Sequence, residues 1–314
     1  MWLNGLLLLV ALIALFLGAE GLVKGASSIA RRLGLTPLVI GLTVVAFGTS
    51  LPELVVSLLA SIAGTGDIAM GNVVGSNIFN LGVILGLTAL IRPIAVQSAV
   101  IRADAPVMMV ASVLLVALMY FASGVPRTVG FVFTAILIVY TGWNIRLARR
   151  ETASIPLEID PEVSSTSRSL LRDGALVIGG LLILTVGSRL LVYSASEIAR
   201  GLGLSEAIIA LTIVAAGTSM PELATSLLAA VRRQGDLAIG NLIGSNIFNI
   251  FGILGIVGAI APISAPGITP LDLGSMLAFA LLLFPLLWTG RTLHRWEGAL
   301  LLLGYGAYLW AIWP

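Results

Sequence analysis

One hexapeptide, Gly48-Thr49-Ser50-Leu51-Pro52-Glu53, sets a helix breaker and a carboxylate in the middle of a long apolar stretch, and the chain carries it twice. Gly217-Thr218-Ser219-Met220-Pro221-Glu222 repeats it 169 residues later. The same offset aligns Ile40 to Leu85 with Ile209 to Leu254 at 28 identities in 46 positions, without a gap. Proline has no backbone N–H, and its ring presses on the carbonyl four residues earlier, Gly48 in one copy and Gly217 in the other. Within lipid, carbonyls freed in this way are tolerated only where they are buried in protein or line a polar cavity. Each break has two hydroxyls and a carboxylate within one turn, an oxygen-rich cradle of the kind a cation takes. A proline kink re-satisfied by its neighbouring Ser and Thr is the simpler reading. A mid-span carboxylate is costly, however, and marks a functional site; here it is duplicated.

The surroundings of the repeat decide the fold class. Of 314 residues, 58% are hydrophobic and only 10% charged, against roughly a quarter charged in globular proteins. This composition describes an all-α integral membrane protein. No basic patch with interleaved aromatics is present, which argues against a nucleic-acid partner. The absence of cysteine excludes disulfides, thiolate metal sites and a Cys nucleophile. The single histidine, His294, lies between Arg291 and Arg295 and reads as an exposed loop residue. With no nucleophile–base pair and no His-rich metal motif, an enzyme is the least favoured class, and no cofactor is expected. The N-terminus lacks the basic region and cleavage site of a signal peptide, so Met1 onward reads as an uncleaved first span.

Apolar stretches of about 20 residues, the length that crosses a hydrocarbon core, number ten. They lie near residues 3 to 30, 37 to 62, 68 to 91, 104 to 122 and 127 to 146, and again near 171 to 199, 205 to 231, 237 to 260, 270 to 289 and 293 to 313. Residues 147–170 form a polar linker carrying Arg149, Arg150, Glu151, Glu158, Asp160, Glu162 and Arg168. The division is therefore 1–146, a five-helix repeat; 147–170, a cytoplasmic linker; and 171–314, a second repeat. Five spans per repeat invert the second copy in the membrane. With the N-terminus outside, the cytoplasmic ends hold Arg31, Arg32, Arg92, Arg102, Arg146, Arg172, Arg232, Arg233, Arg291 and Arg295, while the outer side keeps Arg127 and Arg200. That bias places both termini outside. Two inverted five-helix repeats put substrate sites at the midplane on interrupted helices.

The third and eighth spans carry a second paired motif. Gly71-Asn72-Val73-Val74-Gly75-Ser76-Asn77-Ile78-Phe79-Asn80 matches Gly240-Asn241-Leu242-Ile243-Gly244-Ser245-Asn246-Ile247-Phe248-Asn249. The Gly-xxx-Gly spacing invites close approach of another backbone. Ser76 and Asn80 share one helical face, as do Ser245 and Asn249, so each helix offers a hydroxyl and an amide oxygen toward one point. Asp67 and Asp236 precede these helices and read as N-caps. Glu20 and Lys24 have the favourable i,i+4 order of a structural ion pair. Glu197 lies near a helix end and reads as interfacial.

Folding the repeats together brings Glu53 and Glu222 to mid-membrane, among Thr49, Ser50, Thr218, Ser219, Ser76, Asn80, Ser245, Asn249 and released carbonyls. Every candidate ligand is oxygen, the choice of hard cations, and Ca2+ takes roughly six to eight of them. Two fixed negative charges are neutralised by one Ca2+ or by two monovalent cations, while both loads together would bury net positive charge. Competition for one charge pair is the physical basis of antiport.

The Gly-Thr-Ser-x-Pro-Glu and Gly-Ser-Asn-Ile-Phe-Asn pairs resemble the alpha repeats of the calcium/cation antiporter superfamily, and among its branches the prokaryotic sodium/calcium exchangers. The resemblance implies a ten-helix inverted-repeat fold in a prokaryotic cell membrane, with four ion sites around the two glutamates. Matched by position, the implied ligands are Thr49, Ser50, Glu53, Ser76 and Asn80, their partners Thr218, Ser219, Glu222, Ser245 and Asn249, and the backbone carbonyls of Ala46 and Ala215. It also implies that the first and sixth spans slide across the core. Several members carry Asp where this chain has Asn249, and in potassium-dependent relatives that Asp goes with potassium co-transport. Potassium is accordingly expected to be dispensable. Na+/Ca2+ exchange is the leading expectation, H+/Ca2+ exchange at the same glutamates the alternative, and a cation channel a third class.

Overall fold

The computed structural model of the chain describes residues 2–153, 169–202 and 215–312. Almost all of them are helical, because a backbone in lipid has no water to satisfy its N–H and C=O groups and must pair them internally. The helices are α1 (Trp2–Leu33), α2 (Pro37–Thr49), α3 (Leu51–Ile62), α4 (Gly66–Ile91), α5 (Val100–Ala122), α6 (Arg127–Ala153), α7 (Leu170–Gly201), α8 (Ala215–Gly217), α9 (Met220–Val231), α10 (Gly235–Ile260), α11 (Pro270–Trp288) and α12 (Arg295–Ile312). Among the described residues seven helices are long and apolar enough to cross a bilayer, and α2 with α3, bent by 45°, makes an eighth. The start expected for the span near 205 lies outside the described residues, as does linker segment 154–168. Helix α6 runs on to Ala153, past residue 146 where the sequence pattern ends the span.

Both hexapeptides form the same bend. Pro52 and Pro221 sit in the first turn of α3 and α9, where a missing N–H breaks no bond of the new helix. Ser50 at φ −85°, ψ 7° and Ser219 at φ −87°, ψ 9° take the chain around the corner.

Helices α4 and α10 form the centre: 72% and 83% of their spans are buried, against 33% for α1 and 28% for α7. Close approach of α2 to α10 depends on glycine. A Cβ on Gly41 would lie 2.7 Å from the carbonyl oxygen of Leu237, and one on Gly240 would lie 2.6 Å from that of Leu38. The Gly-xxx-Gly expectation therefore holds for α10. On α4, Gly71 meets the Ile268 side chain among the described residues, while residues 206–214, which the repeat offset equates with the packed segment of α2, lie outside them.

Asp67 and Asp236 do not cap their helices. They lie in the first turn, after Thr65 and Gln234 at the cap positions, and reach across to other segments. Asp67 Oδ1 accepts from the Gly267 N–H at 2.8 Å, and Asp236 Oδ2 from Gln97 Nε2 at 2.8 Å. Two short antiparallel ladders tie the halves near these points: β1 (Ile94–Ala95) pairs with β4 (Thr292–Leu293), and β2 (Gly124–Val125) with β3 (Ile263–Ser264). His294 is exposed in the turn before α12, and its backbone N–H donates to Glu297 Oε2 at 2.6 Å.

Candidate functional site

The two bends meet back to back. Ser50 Oγ, at the corner of the first, donates to Glu222 Oε1 at 2.8 Å; Ser219 Oγ, at the corner of the second, donates to Glu53 Oε1 at 3.1 Å. Each glutamate is thus held by a serine from the other half. Reciprocal pairing of this kind is what a twofold relation produces, since residue i meets j and the equivalent of j meets the equivalent of i. A second reciprocal set surrounds it. Thr49 Oγ1 lies 3.2 Å from Asn241 Oδ1, and Thr218 Oγ1 lies 3.4 Å from Asn72 Oδ1. Asn241 Nδ2 in turn donates to Ser226 Oγ at 2.9 Å, and Asn72 Nδ2 to Ser57 Oγ at 3.0 Å and to the Glu53 carbonyl at 3.2 Å.

Sequence reasoning did not single out Asn72, Asn241, Ser57 or Ser226, although the signal was present. Asn72, Ser76 and Asn80 are spaced i,i+4, as are Asn241, Ser245 and Asn249, and each serine follows its glutamate by four. Each i,i+4 series therefore lies on one face of its own helix.

Glu53 and Glu222 are each about 1% exposed, and among the described residues neither has a basic partner within salt-bridge distance. Burying a carboxylate without compensation costs several kcal/mol or more. Glu53 Oε2, Glu222 Oε2, Ser76 Oγ, Ser245 Oγ, Asn249 Oδ1 and both amide atoms of Asn80 are buried with no hydrogen-bond partner in the protein. So many orphaned polar atoms on facing helices are tolerable only if something else satisfies them. The donor set is entirely oxygen apart from one amide nitrogen, which suits a hard cation. Asn80 opens one stretch of π-helix, Asn80–Ile84, and Asn249 is the second residue of another, Phe248–Ile253, the irregularity often found at functional sites.

The two backbone positions differ from the side chains. The Ala46 carbonyl is not stripped of its helical partner, since it accepts the Ser50 N–H at 3.1 Å, and Thr49 Oγ1 lies 3.4 Å from the same oxygen. The Gly217 carbonyl takes Ser188 Oγ from α7. Ala215 opens α8. A cavity of about 570 Å³ reaches the bends, lined by Pro52, Gly217 and Thr218 at one side and by Glu197 and Arg200 of α7 at the other. Glu197 is paired with Arg200, as suits a residue at a helix end.

Over residues 3–146 and 174–313 the sequence matches the family described as sodium/calcium exchanger protein. This chain belongs to that family. Its relatives include the inner membrane protein YrbG of Escherichia coli (strain K12), 35% identical over 313 residues that cover 97% of this chain and 94% of YrbG. The sodium/calcium exchanger MaX1 of Methanosarcina acetivorans is 32% identical over 349 residues, covering 98% and 97%. The fold is that of the sodium-calcium exchanger NCX_Mj: a structure soaked with 2.5 mM Na+ and 0.1 mM Ca2+ matches at TM-score 0.85 and 32% identity, covering 99% of both chains. This member of the exchanger family is accordingly an all-α, multi-pass membrane protein of cation exchange, in a family of transporters rather than enzymes.

Proposed function

We propose that this chain is a secondary active antiporter that exchanges Na+ for Ca2+ by alternating access at Glu53 and Glu222. The observation that carries the reading is the pair of buried carboxylates, each held from the opposite half by a serine and uncompensated by any described basic side chain. Thr49, Ser50, Ser76 and Asn80, with Thr218, Ser219, Ser245 and Asn249, complete the oxygen set, and the Ala46 and Ala215 carbonyls add to it. One Ca2+ or two Na+ neutralises the pair, so loading one excludes the other. The relatives' names, sodium/calcium exchanger among them, agree with these ions.

The reciprocal bonds and the crossed ladders support two five-helix repeats, 1–146 and 171–314, inverted about an axis in the membrane plane and making ten spans in all. The arginine distribution supports a cytoplasmic linker and outer termini. Cysteines introduced at Arg149 and Arg168 should label from the inside, and those at Arg127 and Arg200 from the outside.

The coupling ion is decided in proteoliposomes. Ca2+ uptake should require an outward Na+ gradient. Uptake driven by a pH gradient alone would establish H+/Ca2+ exchange at the same glutamates, and uptake without any opposing gradient would establish a channel.

A further inference from the structure

Among the described residues, the reciprocity of the core fails at a group of four amides. The 169-residue offset relates Asn77 to Asn246 and Asn80 to Asn249, yet these four amides do not pair symmetrically. Asn249 Nδ2 donates to Asn77 Oδ1 at 2.9 Å. Its counterpart Asn80 has no partner for either amide atom, and Asn246 Nδ2 turns back to the Leu242 carbonyl of its own helix at 2.8 Å.

An asparagine amide presents opposite chemistry at its two ends, an oxygen that ligates a cation and an NH2 that repels one. A half-turn about the terminal torsion exchanges them, so the neighbours decide which end faces where. Asn77 Nδ2 faces two groups that only accept, the Asn246 carbonyl oxygen at 3.5 Å and the Met276 thioether at 4.0 Å. Turning Asn77 around would set its oxygen against both. Its oxygen is therefore directed at Asn249, where only an N–H satisfies it. Asn249 gives up its NH2 to that bond and keeps a buried, unpartnered Oδ1, on the helical face it shares with Ser245.

We infer that Asn77 is a positioning residue that locks the Asn249 amide with its oxygen presented as a cation ligand, whereas the equivalent Asn80 is free to turn. The inference rests on the exchange reading above, with Asn249 as a ligand. It makes the two chemically identical positions unequal: one is a fixed oxygen donor, the other adjusts to the ion that arrives. A pair of equivalent asparagines then distinguishes ions of different size and charge without any change of residue type.

The test is Ca2+ and Na+ binding to the purified full chain in detergent, followed by calorimetric titration, with thermal melting of each variant as a check on folding. Asn77→Ala should weaken Ca2+ binding about tenfold, the scale of losing one well-made contact to a charge. Asn249→Ala should do the same, and the double variant should be no weaker than Asn249→Ala alone, because Asn77 acts through Asn249. A merely structural role would lower affinity again in the Asn249→Ala background, and that result overturns the inference. Asn246→Ala, at the equivalent position, should shift binding less than about twofold; an effect equal to that of Asn77→Ala also overturns it. If Asn77→Ala does not fold, Asn77→Ser, whose side chain ends before the amide, is read by the same criteria. A parent that binds both ions while Asn77→Ala and Asn77→Ser match it overturns the inference alone. A parent that binds neither ion overturns the exchange reading together with it.

Discussion

The core around Glu53 and Glu222 and the α1/α7 pair beside it are held by different chemistry. In the core, Ser50–Glu222, Ser219–Glu53 and Asn249–Asn77 join opposite halves, hydroxyls, amides and carboxylates bonded side chain to side chain, deep inside the bundle. The α1/α7 contact is instead backbone against backbone. A Cβ on Gly18 would lie 2.9 Å from the Gly180 carbonyl oxygen, one on Gly180 2.7 Å from that of Gly18, and one on Gly25 2.8 Å from that of Asp173. Arg32 closes the end of this seam, its Nε 2.8 Å from Asp173 Oδ2, with Ser28 Oγ donating to the same oxygen at 2.7 Å. Toward the core, among the described residues, Ser188 Oγ of α7 reaches the Gly217 carbonyl at the second bend, and the other polar links sit near the margin of the pair. Glu20, paired with Lys24 at 2.7 Å as its spacing suggests, also meets Arg232 at 2.7 Å, and Ser27 Oγ donates to Gln234 Oε1 at 2.8 Å. A unit bound tightly to itself and lightly to its neighbour is suited to move as one body. The sliding of the first and sixth spans that the resemblance implies would break these marginal links and keep the glycine seam.

The comparison is broken most severely from the core side. Glu53→Gln and Glu222→Gln each keep shape but remove half the charge that neutralises Ca2+, a loss of about 3–5 kcal/mol for an interrupted buried ionic contact. Ca2+ exchange in proteoliposomes should fall by about a hundredfold or more, while expression and thermal melting stay near the parent's. Exchange at close to the parent's rate in either variant would remove the shared site.

The next largest effect belongs to the seam. Gly180→Val forces a side chain against the Gly18 backbone and should cost about 1–3 kcal/mol of stability, typical of overpacking. Melting should drop and the maximal exchange rate should fall more than Ca2+ affinity. An affinity loss with an unchanged maximal rate would mean that α1/α7 shapes the site instead of moving past it.

Arg32→Gln withdraws the guanidinium from fully buried Asp173 and should destabilise by about 2 kcal/mol, read as a lower melting temperature, with ion affinity retained. Weaker still is Arg232→Ala. Its pair with Glu20 is half exposed, so stability should change by less than about 1 kcal/mol. If the link is made in only one conformation, the balance between inward- and outward-open states still shifts, visible as a change in the accessibility of a cysteine placed at Thr218.

The smallest expected effect is that of K+. With Asn249 neutral, adding or omitting K+ should alter Na+-driven Ca2+ flux by less than about twofold, because an amide brings no charge for an additional cation to balance. Strict dependence on K+ would defeat that count.

Much of this was legible in the sequence because it rests on short-range chemistry. A proline and a glutamate in an apolar stretch stand out against their surroundings, and their recurrence at a fixed offset states that two halves share one design. Helical spacing alone places Ser76 with Asn80 and Ser245 with Asn249 on single faces, and the same rule pairs Glu20 with Lys24. What the sequence left open are choices between partners that chain neighbours do not control. Ser50 takes Glu222 and not Glu53, across 172 residues, because packing of the two bends brings those faces together. Asp67 and Asp236, well placed to cap their own helices, find Gly267 and Gln97 instead. Asn77 and Asn246 are one residue type at one repeat position, and only the carbonyl and thioether brought up by other helices turn the first toward Asn249. Local rules fix what a side chain can offer along its own helix; the tertiary structure decides what it meets.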